Sequence, residues 1–239
     1  MAGTAKRFNR ILQKEINVHA AWLPVANTFA LGDYGMISDG VFTKMGNISE
    51  FGIDANGASG NPIALDFSSE GTRVFKLIGD AEVDTLPDSD IEAKVCIEFS
   101  KQDSFLLKAQ LNTFEMQSVA MVARDLSQAP GWRNKYRVVS AVYTGEDCMI
   151  LSTREANSKV ELTGKADALK KFDLGKVDAG LNYDSTKQLG LEIVGDSGVV
   201  GLGLFRLGFG GNVRVLSLDG TNVEIEAMDD WNADLEDDV

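Results

Sequence analysis

Few side chains of this 239-residue chain are suited to covalent or metal chemistry. His19 is the only histidine, and Cys96 and Cys148 are the only cysteines, without CxxC spacing. A zinc site needs several His or Cys ligands, and a nucleophilic triad would have to use His19, although no GxSxG motif is present. We therefore expect no metal centre, and we expect His19 to be a surface or strand-edge residue rather than a catalytic base. The cysteines fit small core or surface residues in a reducing compartment, with a single disulfide as the alternative.

The glycine-rich run 201–211 (GLGLFRLGFGG) resembles a nucleotide-binding loop only superficially. It is not GxGxxG, because Arg206 stands where the third glycine belongs, and no Gly-Lys-Ser/Thr follows as in a Walker loop. Glycines that alternate with large apolar residues instead predict a strand that neighbouring groups approach closely. Carboxylates are plentiful, but nothing singles out one acid–base pair. The chain shows no enzyme signature, and we expect neither enzyme activity nor a cofactor.

The last 21 residues are the most distinctive stretch of the sequence. Residues 219–239 carry nine acidic side chains and no basic one, so they hold −9 of the formal charge of −13 and leave −4 for residues 1–218. We predict a single domain over 1–218 and a regulatory tail over 219–239. Apolar residues at roughly helical spacing would let this tail dock on the body: Ile225, Met228, Trp231 and Leu235. The alternative is a disordered acidic tail that aids solubility.

Composition limits the class of protein. With 44% hydrophobic and 25% charged residues, the sequence is typical of a soluble globular protein that can bury a sizeable core. Its acidic balance argues against nucleic acid as a partner, because phosphate binding needs a basic surface. No apolar run of about 18 residues predicts a transmembrane helix, and the polar, basic start is not typical of a signal peptide. We expect the inactive protein to be cytoplasmic.

Residues 5–16 predict a short amphipathic helix. Phe8, Ile11, Leu12 and Ile16 share one face. The other face is basic and supplies four candidates for membrane contact: Lys6, Arg7, Arg10 and Lys14. Two interpretations remain open. The helix either packs on the body as a terminal helix, or it lies at a membrane interface and contacts anionic lipid.

The clearest periodicity lies at 91–112. Apolar residues alternate with polar ones over 91–99 and 104–112, on either side of a polar turn, which predicts a β-hairpin with one apolar and one polar face. Each strand has about the 9–11 residues that cross a bilayer in a barrel, which makes Ile97 and Leu107 membrane-contact candidates. The same alternation also describes any half-buried antiparallel strand.

The remaining patterns complete the predicted architecture. They indicate short strands over 22–53, a helix over 114–127, a second hairpin over 136–152 that turns at 145–147, and further strands up to residue 218. The predicted fold class is α+β: a twisted, mostly antiparallel sheet with long hairpins and a few short helices.

This order of elements resembles the gasdermin family, in particular its compact bacterial and fungal members. The shared layout is an N-terminal helix, short strands, a hairpin like 91–112, a helix like 114–126, strands like 136–152, and a last strand like 199–207 before a short inhibitory segment. The resemblance covers roughly residues 5–235 and concerns architecture rather than motifs. The chain lacks the lipidated cysteine that bacterial members commonly carry near the N-terminus.

The resemblance implies an autoinhibited pore-forming effector with a gasdermin N-domain-like fold. A protease would remove the tail, and the body would then oligomerise on anionic membranes and insert hairpins as a β-barrel, causing cell death in defence. Its partners would be the activating protease, anionic lipid and further copies of itself, and it would move from the cytoplasm to the membrane. We expect the cut near the junction of body and tail: Gly210, Gly211, Leu218 and Asp219.

Two other classes of function remain open. One is a non-enzymatic structural or assembly protein, such as a virion or secretion-apparatus subunit, with an acidic regulatory tail. The other is a small-molecule binder or an enzyme without a recognisable motif.

Overall fold

A computed structural model of the chain describes residues 2–177, 181–187, 189–207 and 213–215. Within these ranges, antiparallel strands dominate and helices are few and short, so the predicted α+β class is confirmed. The tail residues 219–239 and the predicted cleavage positions Gly210, Gly211, Leu218 and Asp219 lie outside the described residues.

The elements have the following bounds. The helices are α1 Ala2–Ile16, α2 Val119–Gln128 and α3 Ala166–Lys170, with 3₁₀ helices at Ile48–Phe51 and Lys171–Leu174. The strands are β1 His19–Ala20, β2 Asp33–Ser38, β3 Val41–Asn47, β4 Gly57–Ser59, β5 Ile63–Ser68, β6 Thr72–Ile78, β7 Ala81–Val83, β8 Glu92–Phe99, β9 Phe105–Met116, β10 Arg137–Thr153, β11 Ser158–Lys165, β12 Asn182–Ser185, β13 Leu189–Leu207 and β14 Val213–Val215.

The described strands form two sheets. The large sheet has nine strands in the order β1-β13-β10-β2-β3, with β14 on β13, β9 on β10, and both β4 and β5 on β9. The small sheet has five strands in the order β12-β11-β8-β6-β7. One tight hairpin joins β2 to β3 through Asp39 and Gly40, whose φ angles of 52° and 74° give the left-handed turn that matches strand twist.

The predicted hairpin at 91–112 is wrong in its pairing, although both of its strands exist. β8 pairs with β6 and β11 in the small sheet, whereas β9 pairs with β4, β5 and β10 in the large one. The two strands follow each other along the chain but do not pair with each other. Alternation identifies the buried face of a strand, but it does not select the neighbour.

The second predicted hairpin is also wrong. Arg137–Thr153 is one continuous 17-residue strand. Residues 145–147 are a bulge within it: Asp147 has a φ of 49°, and the pairing with β9 shifts between Glu146 and Met149. A bulge and a turn both favour Gly and Asp, which explains why the sequence pattern suggested a turn.

Three hydrophobic clusters hold the sheets and helices together. The first lies between α1 and the large sheet, where Phe8 and Leu12 pack near Leu65, Phe105 and Leu107. The second joins α2 to the ends of β10 and β13. The third lies between the two sheets and is closed by α3 and the 3₁₀ helix that follows it. The middle of the large sheet is therefore covered on both faces.

The predicted N-terminal helix is confirmed, and it starts three residues earlier than expected. Its apolar residues are buried against the large sheet, and Lys6, Arg7, Arg10 and Lys14 are exposed. A buried polar contact ties this helix to the next strand, since the Asn9 Oδ1 atom accepts a hydrogen bond of 2.8 Å from the Ala20 backbone N–H.

We expect Asn9→Ala to lower the free energy of unfolding by about 1–3 kcal/mol, because it leaves the buried Ala20 N–H without its acceptor. Urea denaturation at neutral pH measures the change. Ser127→Ala is the control: its hydroxyl donates to the Arg124 carbonyl on the exposed side of α2, and we expect a change within about 0.5 kcal/mol. Equal stabilities of the two variants would contradict the assigned role of Asn9.

Candidate functional site

His19, the histidine that the sequence offers for chemistry, is buried in the structure. His19 lies in β1, an edge strand that pairs with β13, as the strand-edge prediction required, but it is only 3% exposed and not at the surface. Burial, followed by the positive charge of Arg137, lowers the pKa of His19 to about 4. No group of three or more His, Cys, Asp or Glu side chains in the described part of the chain is placed to hold a metal ion.

The cysteines and the glycine-rich run have structural positions. Cys96 and Cys148 are both buried free thiols, so the disulfide alternative does not hold. The described part of the glycine-rich run lies in β13, where a Cβ at Gly201 would come within 2.8 Å of a Val18 side-chain atom and one at Gly203 equally near the Ala141 side chain. Close approach of neighbours explains these glycines, as the sequence predicted.

The most unusual arrangement is a four-segment β-ribbon shared by the two sheets. Each segment supplies one strand to each sheet: β5 and β6, β8 and β9, β10 and β11, β12 and β13. Segments adjacent in the ribbon pair antiparallel in both sheets. We call this unit the ribbon. Three of the connections between its two parts, residues 69–71, 100–104 and 154–157, form what we call the fold line.

The two central segments keep the same register across the fold line. In the large sheet the last pair is Phe105 with Ser152, and in the small sheet the first is Phe99 with Ser158. The same number of residues separates these pairs on both segments. The ladder continues into the gap, where the Thr153 N–H donates to the Ser104 carbonyl over 3.0 Å. The central pair is thus one long antiparallel hairpin, closed by the α2 region and bent in the middle.

Because of the bend, the same face of this hairpin is buried in two different places. The odd-numbered residues of β8 face the core between the sheets, whereas the odd-numbered residues of β9 face α1. Residues two apart share a face in an extended chain. A straight segment 92–116 would therefore place both sets on one apolar face: Ala93, Val95, Ile97, Phe99, Phe105, Leu107, Ala109 and Leu111.

The opposite face of the small sheet is charged. Cross-strand pairs there include Arg73 with Glu82, 2.9 Å between Nη2 and Oε2, and Lys94 with Glu161, 3.9 Å between Nζ and Oε2. Lys159 contacts the same Glu161 carboxylate at 2.8 Å. The small sheet is therefore strongly amphipathic, with an apolar inner face and an ionic outer face.

The predicted membrane-contact residues fall into two groups. The cations Lys6, Arg7, Arg10 and Lys14 are on the exposed side of α1, and one of them, Arg7, lies 4.0 Å from the Asp103 carboxylate of the fold line. Ile97 and Leu107 are fully buried in two different clusters. The structure therefore does not bring the two groups together. The predicted docking residues Ile225, Met228, Trp231 and Leu235 lie outside the described residues.

Sequence reasoning missed the ribbon because the ribbon is defined by which strands pair, and a local residue pattern does not show the partner of a strand. The two outer edges of the ribbon were missed as well. Among the described residues, no strand pairs with the outer edge of β5, and none pairs with the outer edge of β13 between Leu189 and Gly198. Exposed edges of this kind can form hydrogen bonds with another strand. None of the described helices is long and apolar enough to cross a membrane.

No family model matches the chain, and no curated protein matches it. Among solved structures, a bacterial gasdermin from Bradyrhizobium tropiciagri is similar over 87% of this chain and 90% of that chain, at 12% sequence identity and a TM-score of 0.37. A TM-score this low does not assign function, so the function proposed below depends on the ribbon.

The environment of His19 predicts a pH dependence of stability. An unfolded histidine takes up a proton near pH 6.5, whereas folded His19 does so only near pH 4. Between these values the unfolded state binds more protons, so stability falls as the pH falls. Between pH 7 and pH 4 we expect wild type to lose about 3 kcal/mol more stability than His19→Gln does. Urea titrations across this range would contradict the assignment if the two curves were parallel.

Proposed function

We propose that this chain is a pore-forming effector that is stored as a folded monomer and permeabilises membranes when its ribbon straightens. The observation that carries the proposal is the unchanged register of the two central segments across the fold line. In the straightened form, the small sheet would enter the bilayer as two hairpins, β6 with β8 and β11 with β12, while the large sheet would remain outside.

The unchanged register across the fold line makes straightening of the ribbon compatible with a membrane. A bilayer offers no water to backbone groups, so every strand that enters must keep its hydrogen bonds. The pairs from Phe99 with Ser158 to Glu92 with Lys165 keep theirs, because straightening moves them as one unit. β8 with one residue on either side also has about the length of a transmembrane strand.

The two faces of the small sheet match the two environments of a pore wall. Its inner face would turn from the protein core to lipid, and its ionic outer face would line water. Exposing the inner face to water would cost roughly 1.5–3 kcal/mol for each large apolar side chain. Lipid would remove most of this cost, so the straightened form would be far less unfavourable in a membrane than in water.

One charged residue departs from this pattern. Lys76 lies on the inner face beside Val95, where its Nζ atom contacts the Asp173 carboxylate at 2.5 Å. It is close to the end of β6, so its long side chain would reach the far membrane surface and keep its charge in water. This position is compatible with a transmembrane hairpin.

The open edges and the charge distribution support the remaining steps. In the described part of the chain, no strand pairs with the outer edge of β5 or with that of β13 at 189–198; these edges lie on opposite sides of the ribbon, so copies could pair edge to edge. The exposed cations of α1 favour anionic lipid, whereas the tail's nine acidic residues oppose it. Cleavage by a protease between residues 210 and 219 would remove this opposition and allow self-assembly.

We expect a 1–218 truncation to release dye from anionic liposomes and the intact chain to be silent. Removing the tail takes away −9 of charge that repels the lipid surface. Release is followed by fluorescence, with neutral liposomes as the control for charge. If the truncation is folded and monomeric but silent, the proposal fails. Regular particles that form without lipid would instead favour an assembly protein.

Two neighbouring residues of β6 separate the lipid face from the water face. Val74 packs towards the core between the sheets, opposite Ile97, whereas Phe75 lies on the ionic face opposite Cys96, and both are half-buried. We expect Val74→Asp to abolish dye release by the truncation, because a charge on the lipid face is costly. Phe75→Asp is the matched control and should retain most release. Equal activity of two folded variants would contradict the assigned faces.

The apolar stripe predicted in the tail gives a separate expectation. Trp231→Ala combined with Leu235→Ala should weaken tail docking and make the full-length chain release dye without proteolysis, because both apolar anchors are lost. The control is Asn232→Ala, a change outside the predicted stripe. A double variant as quiet as the control would show that the tail does not act through these residues.

A further inference from the structure

The segment between β11 and β12 contacts both parts of the ribbon. Residues 166–177 comprise α3, the 3₁₀ helix Lys171–Leu174 and the three residues after it. Leu169 and Phe172 are buried in the core between the sheets. The Ala166 N–H also donates to the Ile91 carbonyl, over 2.9 Å. This segment is therefore an integral part of the small sheet's packing.

The same segment is also fastened to the large sheet. Gln110 donates from Nε2 to the Leu174 carbonyl over 3.2 Å, and the Val177 N–H donates to the Asp147 carbonyl over 2.8 Å. The Lys108 ammonium lies 5.2 Å from the centroid of the Phe172 ring, a cation–π contact. These contacts join the tip of one hairpin to the middle of β9 and to the bulge of β10.

Gly175 is the point of closest approach. Its φ of +75° is left-handed, and a Cβ at this position would lie 3.1–3.3 Å from backbone atoms of Ala109. The neighbouring atoms are backbone rather than the flexible end of a side chain, so they cannot easily move aside. The segment fits against β9 because residue 175 has no side chain.

These contacts cannot exist in a straight ribbon. Lys165, where the segment begins, pairs with Glu92. In a straight strand, the stretch from Glu92 to Ala109 spans about 55 Å at about 3.3 Å per residue. The chain from Lys165 to Gly175 reaches at most about 36 Å, even fully extended. Contact between Gly175 and Ala109 therefore requires the bend.

We infer that residues 166–177 are a latch that holds the ribbon bent, and that its release from β9 and β10 must precede straightening. This inference builds on the proposed function and adds an internal control to it, separate from the C-terminal tail. The latch stabilises the bent form through its contacts with β9 and β10, which no described strand of the small sheet makes in its place. Weakening it would raise the population of the open form without altering the packing of α1.

The test uses two glycines with matched backbone roles in the full-length chain. Gly175 and Gly52 both end a 3₁₀ helix in the left-handed region, with φ of 75° and 71°. A Cβ at Gly52 has no neighbour within 4 Å, in contrast to one at Gly175. Ala at either site adds a similar backbone strain, but only Gly175→Ala pushes the latch away from β9.

Hydrogen exchange in solution reads the latch directly. In Gly175→Ala we expect amides of the latch, β6, β8 and β11 to exchange about tenfold faster than in Gly52→Ala, while the strands under α1 stay protected. Equal exchange in the two variants would overturn the inference. So would a simultaneous loss of protection in every segment, because the small sheet would then not open separately.

Two further measurements complete the test. In wild type, the latch and the small sheet should exchange together and faster than β9 and β10, a result that needs no variant to fold; uniform exchange would overturn the inference. Dye release then tests the proposed function separately. If Gly175→Ala opens in solution but the truncated variant does not permeabilise anionic liposomes, the latch stands and the pore-forming proposal fails.

Discussion

Backbone pairing across the fold line is the constraint on which the rest of this structure depends. The ladder between the two central segments runs from the large sheet into the small one with the same register, through the bond from the Thr153 N–H to the Ser104 carbonyl. A backbone group that leaves its partner inside a protein or a membrane carries a large free-energy penalty. In the proposed straightening, rotation about the fold line would keep these pairs when the small sheet enters a membrane.

The bend determines where apolar surface is buried. In the folded chain, Phe105 and Leu107 face α1, whereas Leu106 faces the core between the sheets. Two-sided burial explains why the large sheet tolerates strands as long as β10 and β13. It also gives α1 and the latch separate tasks, since each covers one face of the same strand. The folded state is thus stabilised by covers on both faces of β9.

The proposed function would depend on a change of shape and on how charge is distributed along the chain. Charge is distributed by region. Cations are exposed on α1, ion pairs cover the outer face of the small sheet, and nine acidic residues lie in the last 21 residues. This separation of charge suits the proposed function, in which α1 would contact anionic lipid, the outer face of the small sheet would line water, and the acidic tail would be removed.

Sequence alone determined the local features whose signal lies within a few residues. The amphipathic pattern placed the α1 helix and its buried face, and the alternation over 91–99 and 104–112 located two strands and their apolar sides correctly. The glycines at 201 and 203 were correctly interpreted as close-packed strand positions. These features follow from the periods of the helix and the strand, which can be recognised in the residue pattern of a single sequence.

Only the tertiary structure decided which strands pair. β8 and β9 would have formed a hairpin by proximity along the chain, but β8 pairs with β11 and β9 pairs with β10, because the ribbon bends between them. Likewise Gly145 and Asp147 form a bulge, because β10 has partners on both sides that continue past it. The choice of partner depends on burial summed over distant segments, and a local pattern contains no information about that sum.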